Sequence, residues 1–322
     1  MVHKVTSSNA PDVASLRWAV LGGSSGIFRR SLAPAFVEMG QHVVDAASRD
    51  GESLEPYADA LARSDVDAVY IPLPNHLHAE WIHRALEAGK HVLCEKPLTL
   101  SPGDTASVFD HAESAGLVLM EAYMWPHHPR ARTLLELVRS RALGSPQWGT
   151  GRFSWPMDMN SGDHRLDFRG AGSLFDVGIY CIAPFMMMAR REPAAVAANA
   201  VRNMRGIDVS MTGWVDWGGG FGSGFAVSFD APHQRQMDLV CSEAIVEVPG
   251  MHTPGPAGVS ELVIRRRDES VERVLCDGGN AYALMVKQFV HAATGEQAPV
   301  FGRAESERLA RVLQGLHAAS VH

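Results

Sequence analysis

The chain has 322 residues, 46% of them apolar and 20% charged, with a formal net charge of −7. That length suits two ordinary domains, and no apolar run is long enough to span a bilayer. The acidic balance, with no Lys/Arg run interleaved with aromatics, argues against a nucleic-acid partner; Arg265-Arg266-Arg267 reads as a solvated strand edge or turn.

Residues 1–16 lack the apolar core of a signal peptide and are expected to form a loose tail. The four cysteines, Cys94, Cys181, Cys241 and Cys276, form no CxxC pair and mostly sit in apolar stretches. Reduced, buried thiols in a cytoplasmic protein are therefore expected. The fifteen histidines include His76-x-His78 and His127-His128, but no third ligand stands at metal-site spacing, so no metal is expected.

Trp18–Leu21 reads as a short buried strand. It leads into Gly22-Gly-Ser-Ser-Gly26 and then a helix from about Ile27 to Met39, ended by Gly40. A glycine-rich turn between strand and helix suits a pyrophosphate, which meets the helix N-terminal N–H groups. A full GxGxxG pattern needs glycine where Ser24 and Ile27 stand, so the turn alone leaves phosphate binding and a plain strand–helix turn equally open. Ser24 and Ser25 are small, and a serine hydroxyl can donate to phosphate. His42–Ala47 is the second strand. In a sheet of this kind its tip, Ser48-Arg49, faces the adenosine ribose. Arginine there pairs with a 2′-phosphate where an acid would take the 2′-hydroxyl, so the tip favours NADP, with NAD as the alternative. Asp45, two residues before the tip, is read as facing away.

A short helix over about Glu55–Arg63 precedes a strand at Ala68–Pro72, the turn Leu73-Pro74-Asn75 and an amphipathic helix at Ala79–Ala88 closed by Gly89. The next strand, His91–Cys94, runs straight into Glu95-Lys96-Pro97. Two charges at the C-terminal end of a buried strand are rare unless paired, and ligands of open α/β sheets bind at that end. A helix from Ser101 to about Ala115 and a strand at Leu117–Glu121 complete an alternation that predicts an α/β fold, a doubly wound parallel Rossmann sheet over residues 17–124.

The pattern changes after Tyr123. Pro129–Arg141 reads as helix, Gln147–Trp155 as strand and Gly172–Ala189 as an apolar helix. Strands joined by Gly-rich turns run from Ala194 to Val248, with more strand over Val263–Leu275 and closing helices at Tyr282–Ala293 and Glu305–Ala319. Neighbouring strands with tight turns predict a large, open, mostly antiparallel sheet, so residues 125–322 are expected to form an α+β domain.

The stretch VDAVYIPLPNHLHAEWIHRALEAGKHVLCEKPL, with a second motif about eighty residues further on, resembles the signature region of the glucose–fructose oxidoreductase / inositol dehydrogenase (Gfo/Idh/MocA) family. These are dinucleotide-dependent sugar and polyol dehydrogenases, and the resemblance runs from roughly Trp18 to the end. The second motif, Gly172-Ser-Leu-Phe-Asp176-Val-Gly178-Ile-Tyr180, is similar to the family's G-G-x-x-x-D-x-G-x-H/Y. Ala171 replaces the first glycine, and the final tyrosine matches a sugar and dihydrodiol dehydrogenase subset.

The resemblance implies that Gly22 and its turn hold the cofactor and that Leu73, Pro74 and Asn75 lie along the nicotinamide and its ribose, with His78 nearby. Lys96 would sit between nicotinamide and substrate, its geometry fixed by Glu95 and Pro97. Tyr180 would be the general acid/base and Asp176 would bind substrate hydroxyls. A free phenol has a pKa near 10, and Lys96 is expected to be the cation that lowers it. On spacing alone, a structural Asp176 and a core Tyr180 are the simpler reading. Arg165 is either a cofactor or substrate contact or a surface arginine.

Two departures stand out. Only Asp50–Asp65 separates the second strand from the next, where the family has a further helix and strand on the adenine side. Pro126 stands where relatives often have arginine. The expected function is hydride transfer between NADP and a sugar, polyol or related secondary alcohol. The alternatives are a non-catalytic dinucleotide- or sugar-sensing regulator on the same fold and, more remotely, a glycosidase using bound NAD. The expected partners are a small-molecule sugar or polyol and further copies of the chain, as a homodimer or higher homo-oligomer through the open sheet.

Overall fold

The computed structural model describes residues 13–167, 172–250 and 260–321. Most of the expected tail and Ala171 lie outside them.

Five strands form a parallel sheet: β1 (Arg17–Leu21), β2 (His42–Ala47), β3 (Ala68–Ile71), β4 (His91–Glu95) and β5 (Leu119–Ala122), in the order β2-β1-β3-β4-β5. Helices cover both faces, so β1 buries both sets of its alternating side chains. Trp18 and Val20 enter one apolar cluster, Ala19 and Leu21 the other. Among the described residues no strand lies outside β2. The chain passes from β2 through α2 (Glu55–Ala62) straight to β3 on the far side of β1, so the adenine-side unit is shortened as the sequence suggested.

The helix after β1 is not uniform. A π-helical turn over Phe28–Leu32 precedes α1 (Ala33–Glu38). Further on, α3 (His78–Glu87) links β3 to β4, and α4 (Pro102–Ser114) links β4 to β5. Ser101 caps α4 by accepting from the Asp104 N–H at 3.0 Å, which satisfies one of the unpaired donors of the first turn.

The second sheet has eight strands: β6 (Pro146–Ser154), β7 (Ala195–Arg202), β8 (Asp208–Gly218), β9 (Phe221–Ser228), β10 (Gln234–Cys241), β11 (Ala244–Pro249), β12 (Ser260–Arg266) and β13 (Val271–Cys276). Their order is β13-β12-β11-β10-β6-β9-β8-β7, antiparallel throughout except for β6 beside β9. The expected strand over Val263–Leu275 is the β12–β13 hairpin. Arg265 and Arg266 pair there with Glu247 and Glu272.

One face of this sheet receives α5 (Pro129–Arg139) and α6 (Ile179–Ala189). Glycine in β6 allows the close approach of α6, because a Cβ on Gly151 would stand 2.8 Å from the Cys181 Cα. The opposite face carries the exposed side chains of Trp148, Trp214 and Ile245.

The last two helices, α7 (Ala281–Ala293) and α8 (Arg303–Ala319), return to the first sheet. Phe289 packs on Trp18 with ring centroids 5.0 Å apart, Asn280 donates to Glu38, and Arg303 pairs with Asp110 and Glu113. One apolar cluster therefore runs from Trp18 and Leu93 through Phe185 to Leu316.

Candidate active site

A cleft of about 610 Å³ lies between the C-terminal ends of the first sheet's strands and the edge of the second sheet near β6 and α6. At one end it is lined by the glycine-rich turn. The Gly22 and Gly23 N–H groups both donate to the Ala47 carbonyl, at 2.9 and 2.8 Å, which folds the turn tightly against β2. Gly22 has φ +112°, and a Cβ on Gly23 would stand 2.5 Å from the Ala46 oxygen, so a side chain at Gly23 has no room. Ser24 and Ser25 line the cleft. The Ser25 hydroxyl accepts from the Phe28 N–H at 3.3 Å and so acts as a helix cap. Arg30 and Arg49 also reach this end, beside Tyr57. Asp45 lies 4.0 Å from Arg63 and is not among the cleft residues, and neither is Ser48.

Leu73, Pro74 and Asn75 form the middle of the wall. His78 stands behind this wall and is not among the lining residues. Its ring is fully buried, with Nδ1 2.9 Å from the Pro97 oxygen and Nε2 2.8 Å from the Leu73 oxygen. It ties the turn after β3 to the loop after β4. Burial holds its pKa below the ordinary histidine value. The same loop is held from β5, where the Glu121 carboxylate accepts from the Leu98 N–H at 3.0 Å. Glu121 is buried, and desolvation pushes its pKa up to about 7.

At the end of β4 the two adjacent charges part. Glu95 turns to the Tyr70 hydroxyl, which donates to it at 2.6 Å, and burial raises its pKa. Lys96 crosses to the second unit. Its ammonium donates to the Asp176 carbonyl at 2.7 Å and to the Asp176 carboxylate at 3.1 Å. The other carboxylate oxygen of Asp176 accepts from Arg165 Nε at 3.0 Å, and Arg165 also pairs with Asp163. Burial pushes the Asp176 carboxyl up, but Lys96 and Arg165 outweigh it and hold its pKa below the usual range.

The expected uninterrupted helix through Asp176 is instead a π-helical turn over Leu174–Gly178 that feeds α6. π-Turns inside helices recur at functional sites. Its entry is anchored from β8, where Asp208 accepts from Ser173 Oγ at 2.7 Å and from Leu174 N at 2.8 Å. Tyr180 follows on the first turn of α6, its ring packed between Tyr123 and Phe153. The Lys96 ammonium lies over the face of that ring, 5.3 Å from its centre.

Lys96 thus pairs with Asp176 while lying over the phenol ring. Burial, then Glu95 and Asp176, push the Tyr180 pKa well above its ordinary value. The group that opposes them is Arg235, on β10. The structure thus brings Gly22, Ser24, Ser25, Arg49, Leu73, Pro74, Asn75, Glu95, Lys96, Arg165, Asp176 and Tyr180 to one cleft and leaves Ser48 and His78 outside its lining.

Residues 17–123 match a family described as "Oxidoreductase family, NAD-binding Rossmann fold" (GFO_IDH_MocA), and residues 131–247 match the GFO/IDH/MocA C-terminal domain. The chain belongs to the Gfo/Idh/MocA oxidoreductase family. Among its relatives in the family, a D-xylose 1-dehydrogenase (NADP(+)) of Haloferax volcanii is 33% identical over 92% of this chain and 94% of its own length. A dTDP-3,4-didehydro-2,6-dideoxy-alpha-D-glucose 3-reductase of Streptomyces violaceoruber is 34% identical over 84% of this chain and 83% of its own. The structure resembles that of a 3-ketoreductase from Actinomadura kijaniata in complex with NADP and TDP-benzene, with a TM-score of 0.85 and 27% identity over 95% of this chain and 98% of that one.

Sequence reasoning missed several residues of this family member's cleft. Arg30 follows the glycine turn and was within reach of a local argument. Phe153, Trp155, His164, Arg235 and Tyr282 reach the cleft only through strand pairing and helix return. Among the described residues no group of three or more potential metal ligands converges.

Proposed function

We propose that this protein is an NADP-dependent oxidoreductase that moves a hydride between the cofactor and a carbinol or carbonyl carbon of a sugar, polyol or related compound. The observation that carries this reading is the bridge from Lys96 to Asp176 beside Tyr180, set in the same cleft as the glycine turn. The residues present fit a phosphorylated dinucleotide. Gly23 leaves no side chain between turn and strand, the residues that open the helix line the cleft, and Arg30 and Arg49 supply two cations there. The cofactor, when bound, supplies or accepts the hydride.

The chain's own residues orient the reacting oxygen and handle its proton. An ammonium has three donors, and two acceptors of Asp176 engage two of those of Lys96, which leaves one N–H for the substrate oxygen. Asp176, ionised by its two cations, holds Lys96 in place and offers its carboxylate to substrate hydroxyls. The Tyr180 phenol is protonated at neutral pH and gives its proton to a developing alkoxide. In the reverse direction the nearby positive charge favours the phenolate. Support comes also from the A. kijaniata 3-ketoreductase. It was crystallised with a lysine and, separately, a tyrosine replaced, and the spacing of those two residues equals that of Lys96 and Tyr180 here.

The reading divides the chain into a dinucleotide unit, 17–124, and a substrate unit, 125–322. It makes the open face of the second sheet, a shallow depression of about 990 Å³ around Trp148, Trp214 and Ile245, the seat of a second copy. A cytoplasmic location is supported by four free, buried cysteines.

Fluorescence titration with NADPH and NADH, followed by a panel of sugars and polyols scanned for a change in nicotinamide absorbance, tests the function. Tighter NADPH binding with turnover is the expected result. Binding without turnover across the panel would transfer the reading to a sensor, and sedimentation velocity tests the second copy.

A further inference from the structure

The cleft's charges are unevenly matched. Lys96 and Arg165 are neutralised by Asp176 and Asp163, and Arg30 and Arg49 stand at the glycine-turn end. Arg235 lines the cleft away from that turn, and among the described residues it has no carboxylate partner. It is the register partner of Phe153 across the β10–β6 pairing, and its guanidinium lies over the Phe153 ring, 5.3 Å from the centre. Phe153 in turn packs against Tyr180. Cross-strand packing therefore holds a planar cation beside the reacting end of the cleft, with its N–H edge available.

A guanidinium stacked on an aromatic face is a preorganised fork for carboxylate or phosphate oxygens. A neutral sugar closing over it would shield the charge from water without replacing it, which is unfavourable. On the reading of function above, we infer that Arg235 selects a substrate bearing an anionic group, a carboxylate or a phosphate ester, attached to the sugar beyond the reacting carbon. The aromatic faces of Phe153 and Trp155 would pack on the apolar side of that substrate.

The test compares the wild type with Arg235→Ala and Arg235→Lys. Steady-state kinetics with NADPH or NADP would be run on D-glucose and D-xylose, on D-glucuronate, and on glucose 1-phosphate and dTDP-glucose. Calorimetric titration of the same compounds into the NADP-loaded proteins supplies a readout independent of turnover. The expected result is tighter binding and higher kcat/KM for at least one anionic arm. In Arg235→Ala that advantage should fall by about tenfold or more, chiefly in KM, as for a lost charge-assisted hydrogen bond. Arg235→Lys should recover part of it, and any loss on the neutral sugars, through the nearby Tyr180, should be smaller than the loss on the anionic arm and should fall in kcat rather than KM. Whether glucuronate or the phosphate esters respond distinguishes carboxylate from phosphate.

Neutral sugars used as well as charged ones would overturn the inference. So would an equal loss on both in Arg235→Ala, which would mean that Arg235 acts through Tyr180. Arg235-dependent binding of an anion without any turnover would keep the inference and overturn the catalytic reading on which it was built.

Discussion

The Lys96 ammonium donates to both the main-chain oxygen and the carboxylate of Asp176, so one side chain ties the end of β4 to the turn that opens α6. The residue expected to activate a phenol is also an electrostatic clasp between the two halves of the cleft, and the phenol ring lies under its ammonium.

Replacing Lys96 by methionine should lower kcat by about 100-fold or more, the range of a lost proton-handling or oxygen-positioning group. NADPH affinity, read by fluorescence, should change by less than about tenfold. An equal collapse of cofactor binding would move Lys96 from the chemistry to the architecture of the cleft.

Arg49 shares the turn end of the cleft with Arg30. Arg49→Ala should reduce the preference for NADPH over NADH by about tenfold, the weight of one charge-assisted contact, with little effect on NADH. Paired fluorescence titrations measure this ratio directly. An unchanged ratio would assign cofactor choice to Arg30.

Gly23→Ala places a methyl group where the Ala46 oxygen already stands. The turn and β2 must separate, so thermal stability should drop by about 1–3 kcal/mol, and dinucleotide binding should weaken with it. Ser24→Gly, in the exposed part of the same turn, should keep its stability within about 1 kcal/mol, so any loss of binding there reports the hydroxyl and not the fold.

Glu121 titrates at about 7 when folded, against 4.5 for the unreacted side chain. Between those values the folded state holds more protons than the unfolded one, so the contribution of Glu121 to stability declines as pH rises from about 4.5 to about 7. The full span is of order 3 kcal/mol. Glu121→Gln keeps an acceptor for the Leu98 N–H and removes the titration. Its stability relative to wild type should therefore rise across that window and level off above it. Urea unfolding at a series of pH values measures the difference, and a flat difference would show that the carboxyl is not titrating there.

The parallel sheet, the strand ends and the residues after them were legible because each rests on a local pattern: an apolar run, a Gly or Pro turn, an amphipathic helix. Lys96 and Asp176 could be named from motif context for the same reason. Arg235 could not, because it reaches Phe153 only through a strand pairing between segments far apart in the chain. Asp208 escaped notice in the same way, as a β8 residue that caps a helix entry lying before it in sequence. The motif position of His78 says that it belongs near the cofactor turn but not that both ring nitrogens are taken up by backbone oxygens. The π-turn at Asp176 is invisible to a spacing argument that assumes 3.6 residues per turn.

The return of α7 and α8 sets an order of events during synthesis. Trp18 leaves the ribosome early, yet its packing partner Phe289 is among the last parts of the chain to be made. The strands of the dinucleotide sheet can pair as they emerge, and Phe36 can reach Trp18 early, but part of that face stays uncovered until translation is nearly complete. A nonsense codon placed before α7 would therefore leave Lys96, Asp176 and Tyr180 encoded but part of the nucleotide sheet unroofed, and its product would meet proteases and chaperones rather than substrate.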